Sequence, residues 1–124
     1  MKTKLYFALL LICLSPALSI SQQNGIESAL QKGNAAELGA FFSKSVDLAM
    51  PGVEDTYSSA EAVTILSEFF AKQTVKGYKR VHLSSPQEGR ANYSIGDLFT
   101  AQGTYRTTLY YDTQQKIAEI RIQK

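Results

Sequence analysis

At Lys76-Gly77 the spacing of apolar residues changes, and that change restricts the chain to one broad class of fold. Upstream, Ala62, Ile65, Leu66, Phe69 and Phe70 recur every three or four positions, the spacing that gathers side chains on one stripe of a helix. Such a stripe is core before it is a cofactor box. Downstream the period is two: Tyr78, Arg80 and His82 fall on one side of an unbroken strand, and Lys79, Val81 and Leu83 on the other. Further strand patterns follow over residues 90–102, 103–112 and 116–123, the last with Ala118, Ile120 and Ile122 in alternation. Helices first and consecutive strands afterwards give an α+β domain, with N-terminal helices packed on the concave face of a curved antiparallel sheet.

Local signals sharpen this outline. A helical pattern begins near Asn24 with Ile26, Ala29 and Leu30 and breaks at Gly33-Asn34. Asn34 followed by Glu37, and Ser58 followed by Glu61, each carry the spacing of a capping box at a helix start. Leu38, Phe41 and Phe42 form the apolar face of the second helix. Val46, Leu48 and Met50 alternate as a short strand before the Pro51-Gly52 turn. The expected order is therefore helix, helix, short strand, helix and four strands. Residues 86–89 read as a turn, Gly103 as part of a tight connection, and Gly96 as a bend or bulge within a strand.

The segment MKTKLYFALLLICLSPALS has the layout of a secretory signal peptide: two lysines, an apolar run, then a proline and small residues, with cleavage expected after Ser19. Its apolar run is shorter than the roughly 20 residues that span a bilayer, so no membrane association is expected after signal removal. Cys13 lies inside this segment, behind Ile12 rather than a small residue, which argues against lipid attachment. The expectation is an exported protein, periplasmic or secreted, with residues 1–19 as signal and 20–124 as one domain. Loss of Lys2 and Lys4 leaves 11 basic residues, matching the 11 acidic ones, and no cysteine. A formally neutral domain without basic, aromatic-interleaved clusters offers little to a nucleic acid. It must also hold together by packing alone.

The stretches ALQKGNAAELGAFFSKSVDLAM, YSSAEAVTILSEFF and YSIGDLFTAQGTYRTTLYY, in this order, resemble the nuclear transport factor 2-like, or cystatin-like, superfamily. More narrowly they resemble a family of small secreted bacterial proteins carrying a domain of unknown function within it. The resemblance implies a cone-shaped fold in which helices lie against a strongly bent sheet, often with an apolar pocket between them. It also implies a choice of roles, because such relatives include isomerases, dehydratases, cyclases and non-catalytic binding or dimerisation modules.

Two candidate acid/base groups follow. Asp97 with Tyr93 or Tyr105 would supply a carboxylate and an oxyanion donor if they shared the cone interior. In an unbroken strand Asp97 lies on the side of Tyr93, Ile95 and Phe99; a bulge at Gly96 would reverse it. His82, the sole histidine, is the other candidate base, but it has no identifiable partner in the sequence. Arg106 and Arg121 read as strand decoration beside acidic neighbours such as Glu119 or Asp112. The tyrosines read as half-buried strand residues with hydroxyls toward solvent. Asn92-Tyr93-Ser94 matches a glycosylation sequon but falls in an expected strand.

One histidine and no cysteine after residue 19 cannot make the usual Cys/His zinc set, and neither a phosphate-cradling glycine loop nor a Gly-x-Ser-x-Gly elbow is present. No cofactor is expected. The leading expectation is a non-enzymatic domain that binds a small apolar ligand or a protein partner. Phe41, Phe42, Phe69, Phe70, Tyr93 and Tyr105 are its pocket candidates. A homodimer through the sheet face that carries Tyr78, Arg80, His82 and some of the later tyrosines is the partner candidate. The rival is an isomerase, dehydratase or cyclase using Asp97 or His82 with a tyrosine.

Overall fold

In a computed structural model of the protein, residues 20–85 and 89–124 are described. The expected signal segment, and residues 86–88 of the expected turn, lie outside the described residues. Helix α1 spans Ile20–Lys32, four residues longer at its start than the apolar pattern indicates, and α2 spans Ala35–Gly39. Strands β1 (Phe42–Met50) and β2 (Val53–Ser58) form a hairpin, followed by helix α3 (Ser59–Gln73). Strands β3 (Val75–Leu83), β4 (Tyr93–Thr100), β5 (Gly103–Tyr111) and β6 (Ile117–Gln123) complete one sheet.

The helix boundaries follow from capping chemistry. Gly33 has φ +65, a left-handed conformation that a side chain disfavours, and Asn34 N–H reaches back to the Ala29 carbonyl at 2.8 Å. Asn34 then turns from closing α1 to opening α2, its side chain accepting the Glu37 N–H at 3.0 Å. The Glu37 carboxylate pairs with Lys32 at 3.5 Å. Ser58 and Glu61 make both halves of the capping box at the start of α3.

Strand order is β2-β1-β6-β5-β4-β3. The four strands from β3 onward pair antiparallel, as expected, but β1 runs parallel to β6. β2 was not expected from the sequence. It is an edge strand with only Val53 and Tyr57 half-buried, so Glu54, Asp55 and Thr56 give it a polar reading. Helix α1 lies over β3, while α3 lies over β1 and β2. The core between these layers holds Ile26, Leu30, Leu38, Val46, Leu48, Leu66, Leu98, Leu109, Ile120 and Ile122.

The turn from β5 to β6 is organised by Asp112. Its Oδ1 accepts the N–H groups of Gln114 at 2.8 Å and Lys116 at 2.9 Å, and its Oδ2 accepts the Ser43 hydroxyl at 2.9 Å. Burial pushes this carboxyl up, but the hydrogen bonds from Lys116, Ser43 and Gln114 outweigh it and hold the carboxyl below its ordinary value. A group whose pKa is depressed on folding contributes stability above the ordinary carboxylate range and loses it as pH falls through the depressed value. Asp112→Asn is therefore expected to lower Tm at neutral pH by roughly 5 °C. The wild-type stability advantage should shrink below about pH 5. Thermal melts of both proteins across that range check the prediction.

Candidate functional site

The two faces of the sheet carry different chemistry, and the register of β3 on β4 decides which residue lies where. Arg80 pairs with Gly96 and His82 pairs with Ile95, so β3 spends one extra residue, Val81, where β4 spends none. Tyr78 and Arg80 therefore face the helices, while His82 turns to the outer side. The sequence expectation that Tyr78, Arg80 and His82 share one exposed face is corrected: Tyr78 is 6% exposed in the core. The bulge belongs to β3, not to Gly96, because β4 pairs with β5 without interruption from Tyr93–Tyr110 to Thr100–Gly103.

Gly96 serves another purpose. A Cβ there would stand 2.1 Å from the Tyr78 hydroxyl oxygen and 2.3 Å from its Cζ, so the missing side chain is the space in which the phenol lies. Around it the inner face gathers polar groups beneath α1. Gln23 Nε2 donates to the Tyr111 hydroxyl at 3.2 Å, and that hydroxyl lies 3.0 Å from Ser94 Oγ. Arg80 pairs with Glu27 of α1 at 3.3 Å, both partly exposed. Thr107, fully buried and paired with Gly96, has no hydrogen-bond partner for its hydroxyl among the described residues. Burial pushes the Tyr78 phenol far above the ordinary tyrosine range, reinforced by Tyr111 and Glu27. Burial also raises Tyr111, with the Ser94 and Gln23 hydrogen bonds pulling the other way. Both phenols are neutral near pH 7 and can act only as hydrogen-bonding groups there.

The expected pocket residues divide between the faces. Phe42, Phe69, Phe70 and Tyr105 are buried together, with Phe69 edge-on to Tyr105 at 5.4 Å between ring centres. The Tyr105 hydroxyl meets Gln73 at 3.0 Å. Phe41 is half-buried, its ring against Gly25 of α1. Tyr93 is not with them. It lies on the outer face, 5.6 Å from the His82 ring and 6.0 Å from the Tyr110 ring.

Asp97 is also outside, as it would be in an unbroken strand, and accepts from Arg106 Nε at 3.0 Å. Neither Asp97 nor His82 reaches the helix-covered side where Tyr105 lies, so the acid/base pairing of Asp97 with Tyr105 does not form. Asp97 and Tyr93 share the outer face, where the Asp97 carboxylate is taken up by Arg106. Arg121 pairs with Glu119 at the surface, matching the decorative reading. The expectation of solvent-directed tyrosine hydroxyls fails for Tyr111, held by Gln23 and Ser94.

Gln23, Glu27, Ser94 and Thr107 were not singled out from the sequence. The available signal was the adjacency of Tyr110 and Tyr111, which must face opposite sides of one strand. It implies one buried phenol in need of partners but does not name them. Among the described residues no group of three or more His, Cys, Asp or Glu is arranged to hold a metal.

The chain is 26% identical to a crystal structure of a DUF4783 family protein from Bacteroides ovatus ATCC 8483, at a TM-score of 0.75 over 89% of this chain and 97% of that one. A DUF4783 family protein from Bacteroides fragilis YCH46 is 25% identical, with a TM-score of 0.75 over 87% and 99% of the two chains. An NTF2-like protein of unknown function from Cytophaga hutchinsonii ATCC 33406, 13% identical at a TM-score of 0.59 over 86% and 89%, shares the fold. No curated protein matches the chain. The α+β architecture is thus the NTF2-like, cystatin-like fold. The sequence profile described as a domain of unknown function (DUF4783) matches residues 23–123, and the chain belongs to that family.

Proposed function

We propose that this exported domain is a non-catalytic binding module whose docking surface is the outer face of the sheet, and that its partner there is a second copy of the chain. The observation that carries this reading is the aromatic run His82–Tyr93–Tyr110 across β3, β4 and β5, on a face that also exposes Phe99 (40%) and Val81 (49%). The inner face, by contrast, is occupied by core side chains and the polar cluster beneath α1.

Charge favours self-association over an acidic or basic partner. Lys79, Asp97 and Arg106 alternate in sign across one row of paired strands, and Glu119 and Arg121 form a neutral pair nearby. With 11 basic and 11 acidic residues beyond the expected signal, two copies carry no net repulsion. Six strands about 4.8 Å apart and roughly 25 Å long present about 700 Å². That is close to the roughly 800 Å² per partner of a standard stable interface.

Light scattering on the purified protein is expected to give the mass of two chains, and Tyr110→Lys the mass of one with an unchanged circular dichroism spectrum. A wild-type protein that stays single at high concentration, or a double mass that survives Tyr110→Lys, would sink the proposal.

A further inference from the structure

The geometry points to a binding site for a small carboxylic acid with an apolar body, in the cleft where the carboxyl ends of β1 and β6 part. These two strands run side by side only as far as Ala49 and Arg121. Beyond that point Met50 pairs with Val53 across the Pro51-Gly52 turn, while Ile122 and Gln123 continue beside β5. The parting leaves a cavity of about 570 Å³, within the roughly 300–1,000 Å³ of pockets that take small ligands. Open α/β sheets lodge ligands outside the carboxyl ends of their parallel strands for the same reason, because diverging backbones leave a crevice there.

The side chains of the cleft are sorted by face. Met50 and Val53 are register partners and so share a side; the first is buried and the second half-buried. Ile122 stands opposite the fully buried Thr107, which shares the helix-covered side of β5 with Tyr105. Together these residues form an apolar floor. Lys124 brings its ammonium over the Tyr105 ring, 5.4 Å from the ring centre, and donates to the Gln102 carbonyl at 3.1 Å. Ring and carbonyl thus hold a cation at the edge of that floor. An ammonium has three N–H donors and the carbonyl takes one, so donors remain for a carboxylate. Glu54 follows Val53 and therefore turns to the other face, and Arg121, also on the rim, is already paired with Glu119. A neutral apolar molecule would cover the ammonium without satisfying it, and a bare inorganic anion would leave the floor unused. None of His82, Tyr93 and Tyr110 lines the cleft, so the site stands independently of self-association.

Octanoate is the probe, followed by proton and nitrogen NMR at constant ionic strength. Saturable shifts are expected at the Met50, Val53 and Ile122 amides. Lys124→Gln should weaken binding about tenfold, and 1-octanol should bind about tenfold more weakly than octanoate. Lys44→Gln, at the other end of β1, should leave binding unchanged. Val53→Asp, which sets a carboxylate in the floor, should abolish binding with an unchanged circular dichroism spectrum. An N-acetylated tripeptide ending in a free leucine carboxylate that displaces octanoate would extend the ligand to peptide chain ends, and failure to displace it would restrict the ligand to free acids; either result supports the site. Absence of saturation, equal weakening by Lys124→Gln and Lys44→Gln, 1-octanol binding as tightly as octanoate, or full binding in Val53→Asp overturns it. Repeating the titration in Tyr110→Lys separates this result from that of the dimer experiment.

Discussion

Gly96→Ala is expected to destabilise the protein by about 3 kcal/mol, the upper end of ordinary core overpacking. For a domain of this size that is a fall of roughly 15 °C in Tm. The new methyl would meet the Tyr78 phenol at three atoms, its hydroxyl oxygen and two ring carbons. Tyr78 cannot simply swing aside, because it is 6% exposed and packed in the core. A tyrosine has two side-chain torsions and a rigid ring, so retreat requires either an off-rotamer geometry or movement of β3 away from β4. The cause is testable by a double-mutant cycle. In a Tyr78→Leu background, already weakened by about 2 kcal/mol, Gly96→Ala should cost less than about 1 kcal/mol, because the atoms it struck are gone. Equal costs in the two backgrounds would mean that backbone freedom, not the phenol, accounts for the glycine.

Tyr111→Phe should cost about 2 kcal/mol although it removes a single oxygen atom. The hydroxyl joins Gln23 of α1 to Ser94 of β4, residues that are 4% and 2% exposed, and its loss strands both polar groups away from water. The penalty comes from the orphaned partners rather than from the bond itself, since an isolated hydrogen bond nets only about 1 kcal/mol. Replacing the group together, as Gln23→Leu and Ser94→Ala with Tyr111→Phe, should recover much of the loss. Denaturant unfolding of the single and triple variants measures the difference; a triple variant no more stable than the single one contradicts the account. Hydrogen exchange should also quicken in α1 of Tyr111→Phe, because Gln23 ties that helix to β5.

Particular residues show how far the sequence reaches. Ser58 with Glu61 and Gly33 with Asn34 announce helix ends because capping is a contact over three or four residues, set by local backbone geometry. The stripe from Ala62 to Phe70 announces a buried helix for the same local reason. The strands from β3 onward were placed to within a few residues. β2 was missed because an edge strand need not be apolar, and the parallel pairing of β1 with β6 leaves no local trace. The family resemblance supplied the fold name, which periodicity alone could not.

The candidate sites were less legible. Tyr78, Arg80 and His82 were assigned to one outer side on the premise of unbroken alternation, and one extra residue at Val81 puts His82 on the opposite face from the other two; Tyr93 was a pocket candidate whose side the alternation of β4 left open. Because the side-chain period of a strand is two, a slip of one residue exchanges faces completely. The joining of Gln23 to Tyr111, 88 positions apart, likewise depends on how α1 crosses the sheet.

Sequence by itself determined the three helices, the strands from β3 onward, that the charges cancel beyond the expected signal, and that the chain belongs among helix-then-sheet folds, although it carried the second helix on to Phe41 and Phe42, where β1 begins. Those properties arise from interactions within a few residues or from composition. Tertiary structure alone decided which phenols are buried, that Arg80 and His82 part to opposite faces, and that Gly96 makes room for Tyr78. Those depend on pairing register and on the approach of distant segments, where a single inserted residue reverses the outcome.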